Sequence, residues 1–288
     1  MNPTVGRLLD DAARNLAASA DLVEARREAQ ILFGHAMGTS RAWLSAHRNE
    51  AADPSVAEPF HALVRRRQAG EPVAYLLGRR EFYGLEFRVT PDVLIPRADT
   101  ETLVDVALEK LVEGTQPDVL DLGTGSGCIA IALAHERPAV RVTATDVSET
   151  ALKVARENAV AIGVDVELVR GAWFEPLAGR RFDLIVSNPP YVATGDPHLQ
   201  QGDLRFEPAT ALASGTDGLA DIRIIVAHAP GYLREGGWLL FEHGYNQADV
   251  CRDLLRDTGF GEVVSRADIA GLLRVAGGRL LTSKSPNR

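Results

Sequence analysis

The sequence predicts an α/β fold, a mostly parallel sheet wrapped by helices, with a small helical bundle ahead of it. Three observations predict it. From Val119 onward, short apolar runs of strand composition alternate with helical segments. The first 76 residues place their apolar side chains at helical spacing. One strand passes through a glycine loop straight into an apolar helix, Val119 to Ala134.

Each element follows from its pattern. Val5, Leu8, Leu9, Ala12 and Leu16 form one helical stripe, and Leu22, Ala25, Ala29, Leu32 and Ala36 form a second that stops before Gly38. Further helical segments at Ala42–His47 and Val56–Gln68 complete a bundle over residues 1–76. Gly70-Glu71-Pro72 breaks the pattern, and alternation at Leu85, Phe87 and Val89 predicts a β-hairpin linker over 77–93. A third region spans 94–280, with a helix at Thr100–Val112 and strands at Val119, Val140–Thr145, Val166–Val169, Phe182–Ser187 and Trp238–Glu242. Helices at Glu149–Ala161, Leu219–Leu233 and Ala248–Thr258 fill the intervals. Glu262–Ser265 and Leu272–Ala276 have no helix between them, which predicts an antiparallel edge hairpin, and 281–288 is expected to be a disordered tail.

Composition narrows the function classes. The chain has 288 residues, 45% of them hydrophobic, enough for a sizeable core. No stretch approaches the roughly 18 apolar residues of a membrane span, and no basic-then-apolar leader opens the chain. A cytoplasmic enzyme with no membrane partner is expected. Cys128 and Cys251 have neither disulfide-framework nor metal-ligand spacing, so no metal is expected and Cys128 is read as a small packing residue. Residues 1–76 hold nine basic and nine acidic side chains, so the whole formal charge of −8 falls on the remainder. Such a catalytic part repels phosphates on average, which argues against direct nucleic-acid binding. The run Arg65-Arg66-Arg67 at a helix end reads as a solvated face.

Two motifs carry the chemistry. In Asp121-Leu122-Gly123-Thr124-Gly125-Ser126-Gly127 the glycines permit a sharp turn and close approach of a ligand. The next strand ends in Asp146, an acid suited to the two hydroxyls of a ribose. Together they specify an adenosine ligand and leave a dinucleotide or S-adenosylmethionine open; read from Gly125 the loop even fits G-x-G-x-x-A. The second motif, Asn188-Pro189-Pro190-Tyr191, follows the strand Phe182–Ser187. The Asn188 side-chain oxygen and the Pro189 carbonyl can accept the two hydrogens of a planar NH2 group, and Tyr191 offers a face to stack on. Hydride transfer has no use for such a clamp, whereas methyl transfer to nitrogen does. Trp173, in the short segment after Val169, either flanks the adenine or packs the loop. His198 and His243 are the histidines nearest these motifs, and both read as structural or exposed.

Four segments together resemble the HemK/PrmC family of glutamine N5-methyltransferases. They are Leu94-Ile95-Pro96-Arg97-Ala98-Asp99-Thr100-Glu101, Asp121–Gly127, Ser187–Tyr191, and Asp196-Pro197-His198-Leu199 through Arg205-Phe206-Glu207-Pro208. The similarity runs from the N-terminal helices to Arg274. It implies a seven-stranded, Rossmann-like class I methyltransferase sheet behind the helical bundle, with S-adenosyl-L-methionine as donor. The implied acceptor is the glutamine of a Gly-Gly-Gln tripeptide in class I peptide-chain release factors, with residues 1–76 as the recognition domain. Carried onto this chain, Gly123, Thr124, Gly125, Ser126 and Gly127 cradle the methionine moiety and Asp146 binds the ribose. Trp173 lies against the adenine, and Asn188, Pro189, Pro190 and Tyr191 hold the glutamine amide. Two positions depart from the family pattern: Ala172 stands where an acid often precedes the tryptophan, and Leu272-Leu273 precedes Arg274. A ribosomal-protein glutamine N5-methyltransferase, a nucleic-acid amino methyltransferase and a non-catalytic adenosine-binding module are the competing possibilities.

Overall fold

In the computed structural model, which describes residues 2–17 and 22–281, the chain forms two units that divide at Arg79 and Arg80. The first contains α1 (Val5–Leu16), α2 (Leu22–Met37), α3 (Arg41–Ala46), α4 (Pro54–Gln68) and α5 (Val73–Leu77). Side chains of Thr4, Ser40 and Asp53 accept backbone N–H bonds at the starts of α1, α3 and α4, satisfying donors that the helices leave open. Leu8, Leu9, Leu16, Leu32, Phe33 and Phe60 form the core, where the Phe33 and Phe60 rings meet edge to face at 4.8 Å. The arginine run is paired rather than simply solvated. Arg65 bonds Glu58 at 2.7 Å, Arg66 bonds Glu71 at 2.5 Å, and Arg67, mostly covered, bonds Glu28 at 2.9 Å. Five-residue α5 escapes periodicity analysis because it is too short to show a stripe.

The second unit opens with β1 (Arg79–Phe82) and β2 (Leu85–Arg88), a hairpin turning at Tyr83-Gly84. It packs into this unit: Phe82 and Phe87 are fully buried beside α6 (Glu101–Lys110) and α7 (Cys128–Glu136). Asn158 bonds both the N–H and the C=O of Arg88, at 2.7 and 3.0 Å, and the Ser126 carbonyl at 2.8 Å, tying the hairpin to the glycine loop.

The main sheet has seven strands: β3 (Asp118–Leu122), β4 (Arg141–Asp146), β5 (Val166–Arg170), β6 (Phe182–Ser187), β7 (Leu233–Glu242), β8 (Phe260–Ala267) and β9 (Leu273–Leu280). Their order is β5-β4-β3-β6-β7-β9-β8, parallel through β7, with β9 antiparallel to both β7 and β8. Helices α8 (Glu149–Ile162), α9 (Ala220–His228) and α10 (Ala248–Asp257) complete the cover. With both faces covered, β3 and β6 are buried along nearly their whole length, on both faces. Helix α7 is apolar on every side, and all of Cys128–Ala134 is buried. Among the described residues, no helix is long and apolar enough to cross a membrane. Of the expected C-terminal tail, residues 282–288 lie outside the described residues.

The edge strands run longer than expected, at Phe260–Ala267 and Leu273–Leu280, and the widest departure from the sequence expectation lies between α9 and β7. The helix expected over Leu219–Leu233 ends at His228, a short 3-10 turn follows at Ala229–Gly231, and Leu233 already belongs to β7. Pro230-Gly231 stops the helix. The register then jumps from Phe182↔Leu233 to Leu184↔Trp238, so the intervening Arg234-Glu235-Gly236-Gly237 masks the start of the strand.

Gly127 shows how tightly loop and helix are fitted. It starts α7 at φ 83°, and a Cβ there would stand 2.8 Å from Ile131 Cδ1 and 3.1 Å from Ala155 Cβ. Gly127→Ala is expected to destabilise the protein by about 2 to 4 kcal/mol, from the left-handed backbone and the overlap together. Urea unfolding checks this: the midpoint should fall with an unchanged slope, and a wild-type midpoint would mean the loop relaxes freely.

Candidate functional site

The carboxyl ends of β4, β3 and β6 lie side by side because Leu122 pairs with both Thr145 and Ser187. Chain direction therefore delivers the glycine loop, Asp146 and Asn188 to one edge of the sheet, where open α/β sheets bind ligands. Gly123 and Thr124 both donate backbone N–H bonds to the Thr145 carbonyl at 2.9 Å. Asp146 accepts from Gly125 N at 2.9 Å through Oδ2 and from Ser148 N at 2.8 Å through Oδ1. It thus shapes the loop as well as facing the cavity. Each carboxylate oxygen still has a lone pair for a further donor. Burial raises the Asp146 pKa, and the backbone bonds oppose that rise.

A cavity of about 450 Å³ opens over this edge, within the usual range for small-molecule sites. Gly123, Thr124, Gly125, Ser126, Asp146, Trp173, Asn188 and Pro190 line it; Gly127, Pro189 and Tyr191 are not part of the lining. The Trp173 ring lies over Gly123 so closely that a Cβ there would be 3.2 Å from Cζ3. Trp173 also packs on the core cluster around Phe174 and Leu177, so it both lines the cavity and anchors its loop. Its backbone sits at φ 48°, a costly conformation for a bulky residue. The Thr145 hydroxyl donates to the Trp173 carbonyl at 3.3 Å. At position 172 the wall is an alanine methyl group. Burial pushes the Cys128 thiol up to about 12, leaving it protonated and inert.

Asn188 is oriented by its neighbour. Its Nδ2 donates to Thr100 Oγ1 at 3.1 Å, which leaves its Oδ1 free to accept from a ligand. Tyr191 turns its hydroxyl inward to Glu242 Oε1, at 3.0 Å. Gln247 Nε2 holds the Tyr191 carbonyl at 3.0 Å. Glu242 is buried at the end of β7, and Arg274, which lies near it electrostatically, pairs with Asp268 at 3.0 Å and Asp99 at 3.5 Å. The two outer segments of the family resemblance also meet. Buried Glu207 accepts the Ile95 N–H at 3.0 Å and pairs with Arg97, fastening residues 94–97 to residues 206–208. Sequence pattern does not single out Thr100, Glu207, Glu242 or Arg274 as site residues. The available signal is an acid ending the apolar run Trp238-Leu239-Leu240-Phe241.

A parallel sheet with a reversed edge hairpin, a glycine loop after β3, an acid ending β4 and Asn-Pro-Pro-Tyr after β6 define a class I methyltransferase. Solved structures share the fold: a methyltransferase from Pyrococcus furiosus covers 77% of this chain and 98% of its own, with 18% identity and a TM-score of 0.53. A T. thermophilus 16S rRNA N2 methyltransferase in complex with AdoMet and guanosine covers 70% of this chain and 49% of its own, with 21% identity and a TM-score of 0.51. Residues 98–215 match the family model for the methyltransferase small domain, and residues 7–78 match that for the PrmC N-terminal domain. The release factor glutamine methyltransferase of Bordetella pertussis is 52% identical over 88% of this chain and 95% of its own length. That of Xylella fastidiosa strain 9a5c is 51% identical over 92% and 96%. The chain belongs to the release factor glutamine methyltransferase family.

Two outcomes are expected from this geometry. Asp146→Ala removes the cavity carboxylate and the brace on Gly125 and Ser148, so S-adenosylmethionine affinity should fall by about 1 to 3 kcal/mol. Calorimetry showing unchanged affinity would place the ribose elsewhere. The second concerns Asp121, fully buried with Oδ1 unpartnered; burial pushes its carboxyl up to about 7, and the bond from Thr124 opposes this. Because this folded pKa exceeds the ordinary 3.8, the folded protein holds a proton that the unfolded chain releases, and stability falls as pH rises between those values. Asp121→Asn should flatten the stability difference between about pH 5 and pH 8 by on the order of 3 kcal/mol. Denaturation midpoints at the two pH values measure it.

Proposed function

We propose that this protein transfers a methyl group from S-adenosyl-L-methionine to the side-chain amide nitrogen, N5, of the glutamine in the Gly-Gly-Gln tripeptide of class I peptide-chain release factors. The observation that carries the proposal is the orientation of Asn188, whose amide nitrogen is held by Thr100 while its oxygen is left as an acceptor at the cavity. An acceptor there suits an incoming NH2 group, and a donor would not.

The residues fit the donor. Gly123 to Ser126 give a backbone cradle for the methionine moiety, with Gly127 behind them packed on α7 and α8, Asp146 has lone pairs left for the ribose hydroxyls, and Trp173 offers a ring against which an adenine stacks. Bound there, the donor supplies an electrophilic methyl on a sulfonium centre. Asn188 Oδ1 accepts one amide hydrogen of glutamine at the cavity wall beside Pro190, and the carbonyl of Pro189, a buried residue set behind that wall like Tyr191, is the acceptor proposed for the other. Holding both hydrogens favours positive charge developing on nitrogen and aligns its lone pair with the methyl. Asn188 is no base, so the proton departs after transfer. The residues do not distinguish one planar amide from another, so selectivity falls to the neutral N-terminal unit, proposed here as the recognition domain.

Asn188→Ala is expected to lower turnover by about two to three orders of magnitude while S-adenosylmethionine affinity changes little. Labelled donor incubated with a class I release factor, ribosomal protein and DNA, followed by mass spectrometry, locates the methyl group. The expected product is N5-methylglutamine in the release factor. A methyl on DNA, or on a ribosomal-protein glutamine with the release factor untouched, would overturn the proposal, and near wild-type turnover in the variant would remove the clamp.

A further inference from the structure

The glycine loop does not hold its own shape. Gly123, Gly125 and Gly127 have φ of 70°, 56° and 83°, and glycine visits other conformations as readily, so contacts must fix the loop. From β4, the Thr145 carbonyl accepts from Gly123 N and Thr124 N at 2.9 Å, and Asp146 accepts from Gly125 N at 2.9 Å. Helix α8 supplies the remainder. A Cβ on Gly127 would lie 3.1 Å from Ala155 Cβ, and one turn further along the helix Asn158 Nδ2 donates to the Ser126 carbonyl at 2.8 Å. The Gly127 N–H returns to the Thr124 carbonyl at 2.8 Å. The peptide between Ser126 and Gly127 is therefore held at both its oxygen and its nitrogen.

Asn158 is 1% exposed and is not part of the cavity lining, whereas Ser126 is. Its amide is oriented by the linker hairpin: Oδ1 accepts the Arg88 N–H at 2.7 Å and Nδ2 donates to the Arg88 carbonyl at 3.0 Å. An amide nitrogen has two hydrogens to give. With the oxygen and one hydrogen taken by Arg88, the second hydrogen is directed at Ser126. Turned over, the amide would set its NH2 against the Arg88 N–H and its oxygen against two carbonyls, so a single orientation satisfies all three bonds.

We propose that Asn158 is a positioning residue for donor binding: by holding the Ser126 carbonyl, it keeps the glycine loop in the shape that receives S-adenosylmethionine. The proposal rests on S-adenosylmethionine being the donor. Buried away from the cavity, Asn158 touches neither donor nor glutamine and adds nothing to the chemical step. It acts on the fraction of molecules whose loop is already in place, and donor affinity scales with that fraction.

Asn158→Asp is nearly isosteric and still accepts from Arg88, but its carboxylate has no proton for Ser126 and faces two carbonyls. If the loop is then in place in about 1 to 10% of molecules, the Kd for S-adenosylmethionine measured by calorimetry rises about 10- to 100-fold. The donor KM should rise in step, with kcat at saturating donor within about threefold and the release-factor KM within about twofold of wild type. Asn158→Ala removes the same bond without adding charge and should raise Kd in the same direction; it decides the matter if Asn158→Asp does not fold. A purely structural role would lower the urea midpoint and leave the Kd of the folded protein unchanged. Wild-type Kd in either folded variant, or a loss confined to kcat, would overturn the proposal. If the unaltered protein binds no S-adenosylmethionine, the donor assignment falls and the proposal with it; normal binding there, beside normal binding in the folded variants, would defeat the role of Asn158 alone.

Discussion

The parallel pairing of β3 with β4 on one side and β6 on the other is the constraint on which the site depends. With Leu122 opposite Thr145 and Ser187, three strand ends finish level, and the segment leaving each strand is delivered to the same edge. Those segments carry a glycine loop, an aspartate and an asparagine, distant in sequence and brought together by backbone register. A slip of one residue in either pair would send every side chain of the strand to the opposite face.

Around that edge, buried polar groups come in sets whose members depend on one another. Asp146 is held by two backbone donors, Glu207 by Ile95 and Arg97, Asn158 by three carbonyl and amide groups, and Glu242 by Tyr191. Each closes a segment that would otherwise be a free loop over the cavity. Low local dielectric makes such networks strong when satisfied and costly when broken. The unpartnered Asp121 Oδ1, Glu242 Oε2 and His243 Nε2 are the exceptions, and the first two stand close to the motifs that carry the chemistry.

Much of this was legible in the chain. Residue spacing gave the helices around Leu8, Leu32 and Phe60 and the strands at Val119, Val140, Val166 and Phe182, because each has a face or faces that must be buried. The glycine loop and Asn-Pro-Pro-Tyr were visible because both are local: their chemistry is written in consecutive residues. Short α5 was not visible, nor the start of β7, since one helical turn shows no period and Arg234-Glu235-Gly236-Gly237 breaks the alternation before the sheet resumes at Trp238. The Arg65–Arg67 run read as solvated because Glu28, the partner of Arg67, lies 39 positions away.

The sequence by itself determined the elements, the adenosine-type loop and the side chains suited to an NH2 group, all of which depend on neighbours within a few residues. Only the tertiary structure decided how those side chains point. That Asn188 turns its nitrogen to Thr100, that Tyr191 gives its hydroxyl to Glu242, and that Glu207 fastens Arg97 are contacts across 88, 51 and 110 positions. A hydrogen bond between distant residues has no local periodicity to announce it, and its direction depends on which of the two partners has a proton left to give.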